Sequence, residues 1–375
     1  MIGKLLRIVA AVAVLAAAAL IGWRVLAPAE VLEPATSAYP VAATLPPGVT
    51  GKVTMAPLIV AGSVRVYAGK RLVKADGPVQ AKTTYTAGWS FRRWPEQLTG
   101  IVAVETTVVT RWSDGELVAL DGRTGKIIWR AAGPGAAPFA GRTGSAAVWA
   151  PPGLHTSGTS VLVTDGRQLT AHAVADGTRR WTVTLPDGCD DGFVTTGGRY
   201  VCGAGVWDVG SGSAVAGWPT GPFTAIGCDI ARSGCAGLRD GSGQGWLTGG
   251  TRPVRAPALD APTATAAGDL VLTASDGAVV ASRAGRAVWR WAGVAQVLGV
   301  RAGRVALLTP ERQLVVLDLA AGGQLAAFPL YVRKERVEPW KTERWQLADG
   351  YLAVERLIPE KDTFYTTDPV VIAAF

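Results

Sequence analysis

Residues 116–129 decide the fold; they read Glu-Leu-Val-Ala-Leu-Asp-Gly-Arg-Thr-Gly-Lys-Ile-Ile-Trp. Two short runs of β-forming residues, Leu117–Leu120 and 126–129, flank a turn that contains Asp121 and Gly125. An Asp side chain can accept hydrogen bonds from the backbone of the next residues, and Gly adopts positive φ without a clash. The stretch therefore predicts a tight β-hairpin.

Weaker copies of this hairpin recur along the chain. The turn glycines at positions 125, 177, 212, 285 and 322 are separated by 52, 35, 73 and 37 residues, and 73 is about twice 36. We place a degraded copy at 240–246, inside the interval of 73, and a long loop at 131–160 to explain the interval of 52. A period of this length with four short strands per unit is typical of a β-propeller blade.

The hairpin also resembles the repeat unit of the PQQ-like β-propeller family, whose blades end in Leu-Asp-x-x-Thr-Gly-x-x-x-Trp. The matching residues are Leu120, Asp121, Thr124, Gly125 and Trp129. The resemblance implies an all-β propeller, and counting the units favours about seven four-stranded blades, with eight as the alternative. Residues 53–87 are expected either to supply a strand that closes the ring or to form the eighth blade. The recurring Asp, Gly and Trp are interpreted as architecture, with the Trp filling the gap between blades.

The first 27 residues precede this array and have a different composition. Residues 8–23 carry no charge and follow Lys4 and Arg7, so they are either a cleaved signal peptide or an uncleaved anchor. We favour a transmembrane signal anchor over 1–27, with the N-terminus inside and the body on the extracytoplasmic side of the cell membrane. Residues 28–50 contain five prolines and predict an extended linker, and residues 51–375 form the propeller.

Composition excludes several classes of function. The net charge is +8, yet no nucleic-acid-binding motif accompanies it, so no nucleic-acid partner is expected. The excess of Arg over Lys and the absence of Asn are typical of a GC-rich, actinobacterial genome. His155 and His172 lack the neighbouring motif of a hydrolase, and Gly122–Lys126 leads into a strand, unlike a phosphate-binding loop.

The four cysteines are Cys189, Cys202, Cys228 and Cys235. An even number in an exported domain predicts two disulfides. We favour the pairs Cys189–Cys202 and Cys228–Cys235, although other pairings stay open. Zinc is the rival interpretation, but no Cys-x-x-Cys motif occurs.

The resemblance raises one enzymatic hypothesis, a quinoprotein dehydrogenase that uses PQQ with Ca²⁺. Enzymes of this family carry two adjacent cysteines and carboxylate and amide ligands for Ca²⁺, and this chain has neither adjacent cysteines nor any Asn. We therefore expect no cofactor and no catalytic residue. The family also includes non-catalytic propellers that bind partner proteins.

The favoured function is a monomeric, non-enzymatic scaffold that binds an envelope protein or a cell-wall component; an exported ligand-binding or sensor propeller is another alternative. Aromatic and arginine residues are enriched at interfaces, which suggests a partner surface in two segments. The competing interpretation is ordinary packing between blades. The candidate residues are Trp89, Phe91, Arg92, Arg93, Trp94, Arg336 and Trp340.

Overall fold

The computed structural model of the chain describes residues 2–37, 39, 45–62, 64–76, 87–138, 143–189, 192–332, 339–358, 363–364 and 369–375. A helix covers Ile2–Leu26, at the position predicted from the sequence. None of the helices in the described part of the chain combines the length and the apolar character that crossing a membrane requires. The transmembrane anchor that we predicted over 1–27 is therefore not supported.

In the described residues after this helix, the chain forms eight antiparallel sheets that follow one another around a ring. The preferred count of seven blades was wrong, and the alternative of eight is confirmed. Four strands between residues 57 and 94 form a blade, which is the eighth blade that the alternative interpretation placed at residues 53–87. We number the blades in chain order, and in each blade the first strand lies nearest the ring axis because first strands of neighbouring blades contact each other.

Blade 1 comprises Pro57–Val60, Val64–Gly69, Leu72–Asp76 and Ala87–Trp94, and blade 2 comprises Leu98–Val104, Thr107–Trp112, Glu116–Asp121 and Ile127–Ala132. Blade 3 comprises Leu154–Ser157, Ser160–Asp165, Gln168–Ala173 and Arg179–Thr184, and blade 4 has Phe193–Val194, Arg199–Cys202 and Gly205–Asp208. Blade 5 comprises Thr224–Ile226, Gly237–Arg239, Gly245–Leu247 and Val254–Arg255, and blade 6 comprises Ala264–Ala267, Leu270–Ser275, Ala278–Arg283 and Arg286–Ala292. Blade 7 comprises Gln296–Arg301, Arg304–Leu308, Gln313–Asp318 and Gln324–Pro329. Blade 8 comprises Lys341–Ala348, Tyr351–Ile358, Val370–Ala374 and Gly48–Val53, and Thr363–Phe364 pairs with its second strand.

The ring is closed by pairing the two ends of the chain. Gly48–Val53 is the outermost strand of blade 8 and pairs antiparallel with Val370–Ala374. The sequence predicted a closing strand from the N-terminal region, but the strand begins at residue 48 rather than within 53–87. A second N-terminal strand, Ala29–Glu33, adds a fifth strand to blade 1, so part of the segment predicted as a linker lies on the blade itself.

Neighbouring blades are joined by a repeated Trp–Gly contact. Trp129 of blade 2 packs on Gly177 in the last turn of blade 3, where an added Cβ would lie 2.5 Å from the indole. Its Nε1 also donates a hydrogen bond of 2.6 Å to the Val174 carbonyl of that blade. The same contact joins Trp89 to Gly125, Trp181 to Gly212 and Trp289 to Gly322. The predicted role of these residues in packing between blades is confirmed.

Blades 4 and 5 depart from this pattern. In the described residues blade 4 has only three strands, and the last strand of blade 5 has two residues. The Asp240–Trp246 segment, which we interpreted as a degraded copy of the hairpin, joins the second and third strands of blade 5 instead of the third and fourth. Because blade 5 does not supply the usual Trp, no atom lies within 4 Å of a Cβ added at Gly285 of blade 6.

Both disulfides lie in these two irregular blades. Cys189 bonds to Cys202, and Cys228 bonds to Cys235, which is the pairing favoured from the sequence. Cys202 ends the second strand of blade 4, and Cys228 and Cys235 bracket the loop between the first two strands of blade 5. The covalent bonds therefore lie in the two blades whose strand pattern is irregular.

Candidate functional site

Two inserted loops occupy the middle of the ring. Because neighbouring strands of a blade are antiparallel, the turns between strands 1 and 2 lie on one side of the ring, which we call the turn face, together with the turns between strands 3 and 4 where the described residues contain them. The opposite side, with the links between blades, is the link face. The loop between blades 2 and 3 enters from the link face and carries the helix Ser145–Trp149. The loop 227–236 of blade 5 enters from the turn face, and its short helix Ile230–Arg232 contacts Ser145–Trp149.

The first loop is anchored to blades 1 and 8 by buried polar contacts. Trp149 Nε1 donates a hydrogen bond of 2.8 Å to the Pro57 carbonyl on the innermost strand of blade 1. On blade 8, the fully buried carboxylate of Glu355 accepts a hydrogen bond from the Thr143 hydroxyl. Its other oxygen lies 3.9 Å from Arg344 Nη1. Burial raises the pKa of Glu355, and the hydroxyl contacts and Arg344 only partly oppose this effect.

The second loop is anchored on both sides of the ring. Towards blade 3, His155 Nδ1 lies 2.7 Å from the Ala231 carbonyl, which fixes this nitrogen as the protonated donor of a neutral imidazole. Burial lowers the pKa of His155 to about 4, although the bond to the Ala231 carbonyl favours the charged form. Thr156 N donates to Ser233 Oγ over 2.9 Å. His155 is thus a structural support rather than a base.

Across the axis, the same loop forms an ion-pair bridge to blades 7 and 8. Arg301 Nη1 lies 3.2 Å from Asp229 Oδ2, and Arg301 Nε lies 2.9 Å from Asp349 Oδ1. Partial removal from bulk water raises the pKa of Asp229, while Arg301 lowers it. The loop, stapled by Cys228–Cys235, is therefore held to opposite sides of the ring.

Two adjoining cavities surround this bridge. Their volumes are about 1200 Å³ and about 570 Å³, and both are lined by Thr196, Asp229, Arg301 and Asp349. We call them together the axial cavity. Its lining includes first-turn residues of several blades, such as Asp269 of blade 6, so it belongs to the turn face. The inserted loops form its floor.

Several charged groups of the axial cavity form ion pairs with one another. Arg301 bridges two aspartates, and Arg283 Nε lies 2.7 Å from Asp269 Oδ2. A paired, preorganised surface of this kind suits the binding of a polar segment or ligand. Neither buried histidine is among the lining residues, and His155 and His172 direct their Nδ1 atoms to the Ala231 and Gly177 carbonyls.

The structure places the residues of the predicted partner surface in different environments, some of them buried and some exposed. Trp89 and Phe91 are buried in blade 1, where Phe91 packs edge-on against Trp112 at 5.6 Å between ring centres. Trp340 is also buried, with Arg312 Cζ 5.7 Å from its ring centre. The prediction was wrong for these three residues, because hydrophobic packing between blades removes them from the surface.

The other predicted partner residues differ in their contacts and in their exposure. Arg93 pairs with Asp114 at 2.9 Å and with Glu116 at 2.7 Å, so it holds blade 1 to blade 2. Arg92 is exposed, and Trp94 is 36% exposed with Arg71 Cζ 4.3 Å from its ring centre. Arg336 lies outside the described residues. The sequence missed the axial residues because they are far apart in the chain, and only the loop length at 131–160 signalled an insertion.

The axial cavity does not fit PQQ with Ca²⁺. The resemblance implies adjacent cysteines against the quinone, whereas all four cysteines here form disulfides over separations of 13 and 7 residues. Asp229 and Asp349 are bound to the same arginine, which competes with a metal ion for their oxygens. In the described part of the chain, no group of three His, Cys, Asp or Glu residues is arranged to hold a metal.

The fold is a β-propeller, and its blades are joined by the repeated Trp–Gly contact described above. A family model described as outer membrane protein assembly factor BamB matches residues 75–217, from the third strand of blade 1 through blade 4. Over these residues the chain resembles the PQQ-like β-propeller family. No curated protein matches it.

Similar solved structures are distant in sequence. BamB from Moraxella catarrhalis is 15% identical, with 89% of this chain and 100% of that chain covered at a TM-score of 0.43. The C-terminal WD40 domain of Sif2 is 12% identical, with coverages of 89% and 99% and a TM-score of 0.47. A europium-containing methanol dehydrogenase is 13% identical, with coverages of 89% and 93% and a TM-score of 0.41.

Proposed function

We propose that this chain is a non-enzymatic propeller scaffold of the cell envelope that holds a partner protein or a cell-wall component in its axial cavity. One observation carries the proposal. The cavity is wide, its floor is tied to the ring on several sides, and Arg301 at its centre is already paired with Asp229 and Asp349. Such a surface is preorganised for binding.

An extracytoplasmic location is part of the same proposal. All four cysteines of the chain form disulfides, and disulfides persist in oxidising compartments. The matched family description names an envelope assembly factor, which supports a protein partner for this chain as well. We propose that the propeller works without a cofactor, in keeping with the poor fit of its axial residues to PQQ and Ca²⁺.

Site-specific photo-crosslinking in intact cells tests the binding role. A benzophenone amino acid replaces Asp269 at the cavity, and a matched variant carries it at Asp187, whose side chain is 88% exposed outside the cavity lining. We expect a light-dependent adduct of defined mass from position 269 and none from position 187. Adducts at both positions, or at neither, would contradict a specific role for the cavity.

Calorimetric titration of PQQ, with Ca²⁺ present, into the full chain tests the rival dehydrogenase. We expect no heat beyond dilution and no shift in the unfolding temperature. Tight one-to-one binding of PQQ would overturn the non-enzymatic proposal and make a dehydrogenase assay the next experiment.

A further inference from the structure

The outermost strand of blade 6, Arg286–Ala292, ends its sheet with no further strand paired to it in the described part of the chain. Arg286, Val288 and Arg290 are exposed on it. The side chain of Val288 is 44% exposed, and Val254 of blade 5 and Val294 after the strand are 62% and 64% exposed. Exposed apolar residues beside an open strand edge are typical of a binding surface.

The junction beside this edge is also poorly packed, because blade 5 is incomplete. At four other junctions a Trp from the preceding blade covers the turn glycine, but at Gly285 the space that a Cβ would enter is empty. The last strand of blade 5, Val254–Arg255, is only two residues long. The junction between blades 5 and 6 therefore lacks the packing that fills equivalent junctions.

Blade 1 shows what such an edge binds. Its outermost strand, Ala87–Trp94, pairs with the chain's own acidic segment Ala29–Glu33. Glu33 Oε2 accepts a hydrogen bond of 2.9 Å from Ser90 Oγ. Glu30 pairs with two arginines, Arg93 at 3.7 Å and Arg130. Backbone pairing and contacts to basic side chains hold the added strand on the edge of blade 1.

The outer strands of blades 1 and 6 are equivalent in register. In both, a β-bulge precedes the Trp that covers the next blade, Trp89 in blade 1 and Trp289 in blade 6. Ser90, which bonds Glu33, therefore corresponds to Arg290. Among the described residues no carboxylate forms an ion pair with Arg286 or Arg290, so both charges are available to a partner.

We propose that the outer edge of blade 6 binds an extended, acidic and partly apolar segment of a partner protein by strand addition. The segment pairs with the backbone of 289–292, places a carboxylate against Arg290, and covers Val288. The proposal does not depend on whether the axial cavity binds a ligand.

The test uses the full chain and a fluorescent peptide with the sequence of residues 27–36, Ala-Pro-Ala-Glu-Val-Leu-Glu-Pro-Ala-Thr. Fluorescence anisotropy measures its affinity for the wild type, for Arg290→Glu and for Arg179→Glu, an exposed arginine on the outer strand of blade 3. We expect Arg290→Glu to weaken binding about tenfold or more, since a close ion pair becomes a repulsion. Arg179→Glu should leave the affinity unchanged. Equal losses in both variants, or no binding of the peptide up to about 1 mM, would overturn the proposal.

Two further measurements locate the peptide. Two versions of the peptide are compared, one N-methylated at the odd-numbered residues and the other at the even-numbered residues. Their affinities should differ, because only one of these two sets of N–H groups pairs with the strand edge. A benzophenone amino acid at Val288 should crosslink the peptide, whereas one at Ile128, the corresponding bulge position of blade 2, should not. A crosslink obtained only from position 92 of blade 1 would mean that the peptide displaces Ala29–Glu33, and would refute the assignment to blade 6.

Discussion

The Trp–Gly contact between blades gives the sharpest stability prediction. Gly177 and Gly285 occupy the same turn in blades 3 and 6, with φ of +73° and +76°. An alanine at either position is strained, because L-residues with positive φ cost about 1–2 kcal/mol. At Gly177, however, the new Cβ would also lie 2.5 Å from the ring of Trp129, whereas at Gly285 nothing lies within 4 Å.

The two substitutions should therefore differ by the cost of the overlap alone. Forcing one methyl group into packed space costs about 1–3 kcal/mol. We expect Gly177→Ala to lower the free energy of unfolding by about 2–5 kcal/mol and Gly285→Ala by about 1–2 kcal/mol. The smaller entropy of the unfolded alanine chain favours both variants equally and cancels in the comparison.

Urea denaturation of the two variants and the wild type measures the difference. The double variant Trp129→Leu/Gly177→Ala, compared with Trp129→Leu alone, provides the control. With the indole gone, the alanine should cost only what it costs at Gly285. Equal losses for Gly177→Ala and Gly285→Ala in the wild-type background would refute the packing argument.

Three further predictions concern the inserted loops. The unfolded chain protonates His155 near pH 6.5 and the folded chain only near pH 4, so stability should fall as pH drops through this window, by up to about 3 kcal/mol. The difference in stability between the wild type and His155→Gln, measured at pH 7 and pH 4.5, isolates this step, and a constant difference would contradict it. Glu355→Gln removes a buried carboxylate whose Oε2 has no hydrogen-bond donor, and should stabilise the protein by about 1 kcal/mol at pH 8. Because the pKa of Glu355 is raised, the gain should shrink towards pH 5, where the wild-type carboxyl is increasingly protonated; thermal unfolding at both pH values checks this. Replacing Cys228 and Cys235 by serine removes a bridge over 7 residues and should cost about 2 kcal/mol in urea denaturation, a loss that reduction of the wild type should reproduce in part. An unchanged urea midpoint for the serine variant would contradict a stabilising role for this disulfide.

The sequence by itself determined the local chemistry of the repeat. Asp121 accepts hydrogen bonds from the backbone and hydroxyl of Thr124, and Gly125 has φ of +72°, both as the hairpin requires. These features depend on residues a few positions apart, so a linear pattern reveals them. The pairing of the cysteines is also a local feature, because each disulfide spans a short segment of the chain.

Tertiary structure alone decided the blade count, the candidate site and the exposure of the predicted partner residues. From the sequence, blade 1 was only an alternative, because its third and fourth strands are joined through a segment without the hairpin motif. The axial cavity joins Asp229, Arg301 and Asp349, which are up to 120 residues apart and meet only when the ring closes. Trp89 and Phe91 resembled interface residues in sequence, but packing of one blade on the next buries them. Which residues become buried, and which distant residues meet, depends on how the blades pack around the ring. That ring is closed by the pairing of Gly48–Val53 with Val370–Ala374.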